Sequence, residues 1–462
     1  MKISFVLPLI IVLTGCGHLT RSDYQRPILS LPTQWELPAS PAVDGKPENW
    51  WQRFDDPRLS RVIAQVLESN NDLAAAAITL QQARVAAGLT AMDLTPDVSV
   101  NGTVSNSKSL RNDSASREIY SSGIAIAYEL DLWGKLARTR EQSEWEATAS
   151  AQDYNAMVLS TISTTAQLYW NIAFYNQQIR NQQEGLVISQ QTVRQTESWF
   201  SAGKIGQLDV LQARQALLRR QNQLRVLEQQ RENARNALAL LLNRPAEQHV
   251  DEATLLDAYQ RVPVMQQTPL HVLARRPDVQ AAESRLRAAL TGYDASRLSF
   301  YPSLSLEASL NAGSQIFSQW FSEPIRTVGS SLTLPFIQWN TTRLTVKQAD
   351  LQIKQAAIVF RSTAYSALAE VDNAMEKRLS ADEQRSRLQQ SLTLSQRRFV
   401  LTENRYRAGA VDFQTLLDAQ EDLLTSENNL AQTQYDYLYA TLQLWLAQGG
   451  GEMQYRIMNH EA

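Results

Sequence analysis

Residues 123–135 read GIAIAYELDLWGK, and residues 329–341, 206 positions later, read GSSLTLPFIQWNT. Each stretch begins with apolar residues at alternate positions, which predicts a β-strand with one apolar face. Each then reaches a tryptophan, and the runs that follow, 136–201 and 341–407, contain no proline. At 1.5 Å per residue, each run would form a helix roughly 100 Å long. A strand that leads into so long a helix, twice in one chain, decides the fold.

The repeat extends well beyond these two stretches. Residues about 67–238 align with residues about 273–444 at the same offset and without a gap. Pairs of identical residues include Pro96/Pro302, Gly123/Gly329, Trp133/Trp339, Gly203/Gly409 and Leu238/Leu444. A sequence duplication gives two similar copies of one structural unit, whereas a catalytic site needs different residues in different roles. We therefore predict a structural assembly and not an enzyme.

Four segments break the helical pattern, and we predict that they are membrane-spanning strands. They lie at about 97–105, 121–132, 303–311 and 328–337. Their length of about ten residues and their single apolar face are typical of transmembrane barrels. Aromatic residues stand near both strand ends, as in the interfacial girdles of such barrels. Those at the helical end are Trp133, Phe300, Tyr301 and Trp339, and those at the loop end are Tyr120, Phe317, Trp320 and Phe321. The alternative is a set of half-buried strands in a soluble domain.

Four strands are too few to close a membrane barrel, because each unpaired edge group in hydrocarbon costs several kcal/mol. The barrel must therefore be shared between chains. Two copies would supply eight strands and three copies twelve, and both numbers can close. The strands alone leave the number of copies open. The helices would continue the barrel as a tube on the periplasmic side.

The N-terminus indicates export. Lys2 precedes an apolar stretch, residues 3–12, that is too short to span a bilayer and predicts a secretory signal. The string Leu13-Thr14-Gly15-Cys16 resembles a bacterial lipoprotein cleavage box, so Cys16 is expected to become the lipidated first residue. Gly17 resembles the pattern of Gram-negative lipoproteins that are sent to the outer membrane. The alternative is an incidental cysteine in an ordinary signal peptide.

Composition excludes several classes of function. The formal net charge is −3, which offers no concentrated positive surface for nucleic acid. No apolar segment after the signal reaches about 18 residues, so helical membrane spans are not expected. Cys16 is the only cysteine, which excludes a disulfide framework and a thiolate metal cluster. The histidines, at positions 18, 249, 271 and 460, are scattered. We predict no metal site and no cofactor other than the covalent lipid on Cys16.

The remaining helical runs carry packing patterns. They cover about 57–92, 207–243, 268–298 and 413–448. In the last run, apolar residues recur every seven positions, which is the spacing of helices that pack side by side and supercoil. These are Leu416, Leu423, Leu430, Tyr437 and Leu444. Gly203 and Gly409 each follow a long run just before another helix, and glycine accepts the left-handed conformation that ends such a helix. Two helical hairpins are therefore predicted.

Several strings resemble those of one known family. The most specific are Arg275-Arg276-Pro277-Asp278-Val279 with Ala282-Glu283, Asp131-Leu132-Trp133-Gly134-Lys135, and Tyr406-Arg407-Ala408-Gly409 followed by Leu416-Leu417-Asp418-Ala419-Gln420. Others run from Asp23-Tyr24-Gln25-Arg26-Pro27 through Trp50-Trp51 and Phe54-Asp55-Asp56-Pro57-Arg58-Leu59 to Gly449-Gly450-Gly451. Together they resemble the TolC family of outer-membrane factors, in the lipoprotein branch that serves RND-type tripartite efflux pumps.

The resemblance implies a homotrimer. Its twelve-stranded β-barrel would lie in the outer membrane of a Gram-negative bacterium and continue as a coiled-coil helical tunnel in the periplasm. A periplasmic adaptor protein and an inner-membrane RND-type pump would be its partners, with contacts at the turns of Gly203 and Gly409. One departure is visible, because Asn340 stands where the family usually repeats the glycine found at Gly134. We expect an altered bend between strand and helix there.

The resemblance also implies a gate at the periplasmic end. Asp418 matches the aspartate that rings the closed aperture in this family, with Gln414 and Thr415 in the neighbouring turn. Symmetry would bring three Asp418 carboxylates together, which favours bound cations and a raised proton affinity. Asp209, in the first hairpin, is a weaker candidate because the repeat places it opposite Thr415. The alternative is a solvated Asp418 on an outer helix face.

The predicted function is a passive exit duct for small molecules, either drugs or other toxic compounds. Within the channel class, metal-ion efflux and type I protein secretion are alternatives. A structural coiled-coil lipoprotein without a channel is the rival from another class, and the alternating strands count against it.

The predicted organisation follows the repeat. Residues 1–15 form the signal peptide, 16–56 an extended lipid-anchored segment, 57–243 the first repeat, 244–267 a linker, 268–448 the second repeat and 449–462 a C-terminal tail.

Overall fold

The computed structural model describes residues 21–35, 50–108, 116–246, 248, 251–252, 255–256, 262 and 268–450. The signal peptide, Cys16 and residues 451–462 lie outside this part of the chain. Two compact units are present. The first contains the described residues of Met1–Leu29 with Ala77–Asp153 and Gln280–Thr363, and the second contains the described residues of Ser30–Ala76, Tyr154–Val279 and Ala364–Ala462.

The helices follow the two repeats. In chain order they are α1 (Pro57–Ser69), α2 (Asn71–Met92), α3 (Lys135–Ser201), α4 (Gln207–Leu241), α5 (Pro269–Arg275), α6 (Pro277–Leu298), α7 (Trp339–Arg407) and α8 (Phe413–Ala447). The two long helices, α3 and α7, contain 67 and 69 residues. Both predicted proline-free runs are therefore continuous helices. Within the described residues, no helix is both long enough and apolar enough to cross a membrane.

Two runs that were predicted as single helices are each interrupted. Asn70 ends α1, and its side-chain oxygen accepts the N–H of Leu73 in the first turn of α2 at 3.0 Å. Such a side-chain acceptor is the usual device for starting a new helix. In the second run, Pro277 disfavours helical geometry at Arg276, which is extended at φ −69° and ψ 123°. The one-residue breaks were missed because both flanking segments have helical composition.

Arg276 shows why one string of the sequence is so specific. Its guanidinium is buried and forms ion pairs with Asp278 and Glu370, both at 2.7 Å. It also donates to the backbone carbonyl of Ala447, at 3.2 Å. A buried guanidinium needs this many acceptors to offset its lost hydration. Arg276 thus ties the break between α5 and α6 to α7 and to the end of α8.

The four strands form one antiparallel sheet in the order β1-β2-β3-β4. They are β1 (Asp97–Ser107), β2 (Arg117–Leu130), β3 (Ser303–Ser314) and β4 (Ile325–Thr333). The fourth strand was predicted at 328–337, and its end is wrong: a 3-10 helix occupies Pro335–Gln338. Pro335 has no N–H to donate to a sheet, so the alternation of apolar residues continues past the point where pairing stops.

One face of the sheet is apolar and exposed. The exposed aliphatic residues in the paired middle of the strands all carry even numbers and so share a face. They are Val98, Val100, Val104, Ile124, Ile126, Leu306, Leu310, Val328 and Leu332. Ile119 and Ile325 are odd-numbered exceptions at the loop-side ends. A sheet that turns so many aliphatic side chains outward on one face fits contact with lipid.

Aromatic side chains cluster at both ends of this sheet. At the loop end, the ring centroid of Tyr120 lies 5.4 Å from that of Phe317 and 5.5 Å from that of Trp320. At the other end, the ring of Trp133 lies 5.0 Å from that of Tyr301, and its indole N–H donates to the carbonyl of Pro302 at 2.8 Å. At each end, aromatic residues predicted as part of a girdle thus pack against one another.

The two strand-to-helix connections differ. In the first, Gly134 has φ 81° and the carboxylate of Asp131 accepts the N–H groups of Leu136 and Ala137, at 3.0 and 2.8 Å. In the second, α7 already begins at Trp339, so Asn340 lies inside the helix. A helical position does not require glycine, and a 3-10 helix at Pro335–Gln338 leads directly into α7. The departure at Asn340 therefore accompanies a different connection.

The core of the second unit is built around tryptophans. The rings of Trp50 and Trp445 stack at 5.8 Å, and Phe54 packs edge-on against Trp170 at 4.7 Å. Asp56 caps α1 and also accepts the hydroxyl of Tyr169 at 3.0 Å. Burial, together with the nearby Asp56 carboxylate, raises the pKa of the Tyr169 phenol far above its usual range. The aromatic residues before α1 therefore have a structural role, because they pack against α3 and α8.

Candidate functional site: the turns of the two helical hairpins

Both hairpin turns use glycine in the left-handed conformation. Gly203 follows α3 at φ 70° and Gly409 follows α7 at φ 74°. After α3, the N–H of Gly203 donates to the carbonyl of Phe200 and the N–H of Lys204 donates to the carbonyl of Trp199, at 2.9 and 2.8 Å. The same pair of bonds, 2.9 and 2.8 Å long, follows α7. These hydrogen bonds satisfy helix carbonyls that would otherwise lack partners, and they give both turns a defined shape.

An aromatic cluster joins the two turns. Tyr406, near the end of α7, packs against Trp199 of α3 and Phe413 of α8, with ring centroids 5.4 and 5.6 Å away. Burial raises the pKa of the Tyr406 phenol to about 12, and the carboxylate of Asp209 adds to the effect. The buried apolar members of the cluster are Val193, Ala213, Tyr406, Phe413 and Leu416. The cluster holds the start of α8 against the first hairpin.

Asp412 and Thr415 form the cap of α8. The Asp412 carboxylate accepts the N–H of Thr415 at 2.8 Å and its hydroxyl at 2.5 Å. These bonds, the hydroxyl first, lower the pKa of Asp412. Because folding lowers this pKa, the stability that the ionised Asp412 contributes is fully present above the ordinary carboxyl pKa. That stability is lost as the pH falls through the pKa of the folded state. Thr415, predicted as a gate residue, is placed by the structure in this cap.

Gln414, in this first turn of α8, contacts Asp418 one turn further along the helix. The amide of Gln414 donates to the carboxylate of Asp418 at 2.7 Å, and both side chains are exposed in the single chain. The bond fixes one carboxylate oxygen and leaves the other available to a cation or a neighbouring chain. Asp209, the weaker candidate, lies instead near Tyr406 of the aromatic cluster. The structure thus places Gln414 beside Asp418, and Asp209 near Tyr406.

Buried polar side chains of α3, α4 and α8 form a layer next to these residues. The amide of Gln420 donates to the Thr192 hydroxyl at 3.2 Å. The guanidinium of Arg220 packs against Gly185, where a Cβ would come within 2.9 Å of its Nη1. Burial lowers the pKa of Arg220, although Glu421 lies 3.4 Å away. The sequence analysis did not predict this layer. The one local signal for it was the presence of polar residues at positions within helices that otherwise follow the seven-residue packing pattern.

Beside α4 and α8 this layer opens into a cavity of about 660 Å³, whose lining includes Arg220, Glu421, Gln414 and Asp418. Over the described ranges, no group of three or more His, Cys, Asp or Glu side chains is arranged to hold a metal ion. The site offers fixed charge and hydrogen-bonding groups on a firm hairpin frame. Such side chains can bind cations or form hydrogen bonds with a partner protein.

Comparison with known proteins decides the family. The family model of the outer membrane efflux proteins matches residues 62–244 and 269–450. The chain belongs to this family. The two matched segments follow the two repeats, and the gap between them contains most of the predicted linker. The membership predicted from the sequence strings, and with it a role in outer-membrane efflux, is confirmed.

Relatives match this outer membrane efflux protein along almost its whole length. The pyoverdine export outer membrane protein OpmQ of Pseudomonas putida is 30% identical over 458 residues, with 96% of this chain and 97% of OpmQ covered. The cation efflux system protein CusC of Escherichia coli is 27% identical, with 96% and 97% covered.

Among solved structures, the open state of the MtrE outer membrane channel of Neisseria gonorrhoeae has a TM-score of 0.81 at 26% identity. The alignment covers 94% of this chain and 98% of MtrE. The predicted fold class, long helices with four antiparallel strands, is confirmed.

Proposed function

We propose that three copies of this chain form the outer-membrane exit duct of a tripartite efflux pump and conduct small molecules passively to the exterior. The observation that carries the proposal is the four-stranded sheet with an outward aliphatic face and packed aromatic rings at both ends. Four strands need neighbours to close, and three copies would supply twelve.

The proposed partners are a periplasmic adaptor protein and an inner-membrane RND-type pump. The turns at Gly203 and Gly409 are the proposed contacts. Their hydrogen bonds and the aromatic cluster between them support this, because a defined surface loses less conformational entropy when a partner binds. The alternative of a structural lipoprotein without a channel gives no role to the exposed aliphatic face of the sheet.

For the substrate we propose small organic compounds, with metal ions as the second candidate. OpmQ is named for pyoverdine export and CusC for cation efflux, so relatives of similar identity serve different cargoes. This diversity supports a duct with a general polar lining and a pump that selects. Type I secretion of protein stays an alternative that the same architecture could serve.

The proposal is tested on the purified full-length protein. Native mass spectrometry in detergent should give a trimer, and the same preparation should conduct ions in planar bilayers. A stable monomer that never conducts would refute the shared duct. A trimer that does not conduct, even when the proposed gate residue Asp418 is removed, would favour the structural lipoprotein.

The gate is a further part of the proposal. Asp418 is proposed to lie on the passage at the end of the hairpins, with Gln414 orienting its carboxylate. Three such carboxylates in a ring would attract cations and oppose passage. The 2.7 Å bond between Gln414 and Asp418, and the firm cap formed by Asp412 and Thr415, support a positioned carboxylate over a freely moving one.

The proposed lipid anchor gives one direct prediction. Cys16 follows Leu13-Thr14-Gly15, so we expect cleavage before Cys16 and covalent lipid on the mature N-terminus. Intact-mass and peptide spectrometry of membrane-extracted protein should show both. Cys16→Ser should abolish the lipid mass without changing the fold, since Cys16 lies outside both repeats. An unmodified Cys16, or cleavage at another position, would contradict the anchor.

A further inference from the structure

A positive charge lies on the aliphatic face of the sheet. Arg326 of β4 is exposed, and its even number places it on the same face as Val328 and Leu332. The residue directly opposite it in β3 is Leu310, and Val328 lies opposite Ala308. None of these side chains offers an acceptor to a guanidinium. The counter-charge for Arg326 must therefore come from outside its own strand pair.

Arg326 occupies a position at the membrane interface. In the first repeat, 206 positions earlier, the same place is taken by Tyr120. The Tyr120 ring packs against Phe317 and Trp320, with centroids 5.4 and 5.5 Å away. Aromatic girdles mark the depth of the lipid headgroups, and a long basic side chain at that depth extends its charge toward them. In the proposed duct the helices are periplasmic, so this loop end of the sheet faces the outer leaflet.

A second basic residue meets Arg326 where two copies of the proposed duct adjoin. There β4 of one copy lies beside β1 of the next, and the repeat relates this contact to the β2·β3 pair, in which Tyr120 lies opposite Ser314. The equivalents of these two residues are Arg326 and Lys108. Lys108 directly follows β1, is exposed and carries an even number, so it belongs to the same face. Two positive charges thus face one another at each junction.

Like charges directly opposite in a sheet are destabilising, so this pair favours an anion that contacts both. We infer that Arg326 of one copy and Lys108 of the next bind a phosphate group of lipid A, the phosphorylated glycolipid of the outer leaflet, at each junction of the duct. A guanidinium binds phosphate through two parallel hydrogen bonds, and a lysine ammonium adds a point charge. The acyl chains would lie along the aliphatic face, over Val328 and Leu332. The inference rests on the proposed duct and adds a lipid ligand to it.

One carboxylate on this face lies close to the site. Glu118 of β2 is exposed, and it accepts the Tyr120 hydroxyl at 2.7 Å and the Asn106 amide at 3.5 Å. Since β2 pairs with β1, Glu118 lies on the side of Lys108 away from the junction. Its negative charge opposes a phosphate at Lys108. Removal of that charge should therefore strengthen lipid binding, which is the opposite of the effect expected at Arg326.

Titration of the purified full-length protein with lipid tests the site. Native mass spectrometry in detergent follows binding of diphosphorylated lipid A and, in parallel, of lipid A from which both phosphates have been removed. We expect the phosphorylated form to bind at least about tenfold more tightly, because only it accepts charge-assisted hydrogen bonds. Added salt should reduce this difference, since the charges are exposed. The comparison uses the unaltered chain and needs no variant to fold.

Three variants and a matched control locate the site. Arg326→Gln and Lys108→Gln should each lower the affinity for diphosphorylated lipid A at least about tenfold, and their effects should not add in the double variant, because both contact one phosphate. Glu118→Gln should raise the affinity. Arg117→Gln is the control, because Arg117 also lies at the loop end but its odd number places it on the other face of β2. Its affinity should equal that of the unaltered protein.

The mass of the protein separates failure of the site from failure of the duct. A trimer that binds both forms of lipid A equally, or that loses no affinity in Arg326→Gln and Lys108→Gln, overturns the site and leaves the duct standing. Equal loss in Arg117→Gln also overturns it, because the effect would then follow net charge and not position. A monomer in every preparation, the unaltered protein included, refutes the duct and the site together.

Discussion

Ile126→Arg is expected to prevent assembly of the duct in the outer membrane, whereas Ala125→Arg leaves most of it intact. Ile126 lies in the middle of β2, opposite Val98 and Ala308, on the exposed aliphatic face. A charge on the lipid face near the bilayer midplane costs about 2–4 kcal/mol per chain, and each copy in the ring carries it. Ala125 is the adjacent residue and faces the opposite side of the same sheet.

The measurement is the fraction of each variant that is recovered from outer membranes as an oligomer, together with the temperature at which that oligomer dissociates in detergent. Leu306→Arg provides a second position on the aliphatic face, in β3. Equal losses for Ile126→Arg and Ala125→Arg would mean that the even-numbered face does not contact lipid. The shared sheet would then need another explanation.

Asp418→Ala is expected to weaken the block of the isolated channel by divalent cations. If three Asp418 carboxylates form a ring, they make the strongest cation site on the passage, because divalent ions prefer several carboxylate oxygens. Removal should raise the half-blocking concentration at least about tenfold, which corresponds to about 1.4 kcal/mol. The open probability should also rise. Single-channel recording in planar bilayers measures both quantities.

Asp422→Ala is the matched control for this experiment. Asp422 lies one turn further along α8 and forms an ion pair with Arg398 of α7 in the same chain. The Asp422→Ala substitution removes an equal charge from the same helix, so a general electrostatic effect would appear in both variants. If Asp418→Ala shows the same conductance, open probability and divalent response as the unaltered protein, Asp418 is a solvated helix carboxylate.

The sequence predicted the elements that depend on local patterns. Absence of proline gave the two long helices, and Gly203 and Gly409 marked both hairpin turns because a left-handed residue leaves few alternatives to glycine. Alternation located the strands, yet it placed the end of β4 too late, since alternation reports side-chain faces and not backbone pairing. The breaks at Asn70 and Arg276 were missed for a similar reason, because each is a single residue between two helical segments.

Long-range polar contacts could not be predicted in this way. Arg220 and Glu421 are 201 positions apart, and nothing local to either residue indicates the other. The family strings flagged Arg276 and Asp418, but the resemblance gave no contacts. Only the structure shows Arg276 binding Glu370 and Ala447, or Asp418 held by Gln414. Their partners are set by how helices pack, which a single sequence does not encode position by position.

Asp97 pairs with Ala127 between β1 and β2, and the residues 206 positions later, Ser303 and Thr333, pair between β3 and β4. Because the two strand pairs share this register, the boundary between the halves of a chain is equivalent to the boundary between two chains of the proposed duct. A ring of three chains is then also a ring of six half-chains, and each half-chain contributes two β-strands and one helical hairpin. Covalent linkage of two halves keeps them at high effective concentration and lowers the number of molecules that must meet. It also lets the halves diverge while they share a ring. Asn340 inside α7, where the first half keeps Gly134 in a turn, records such divergence.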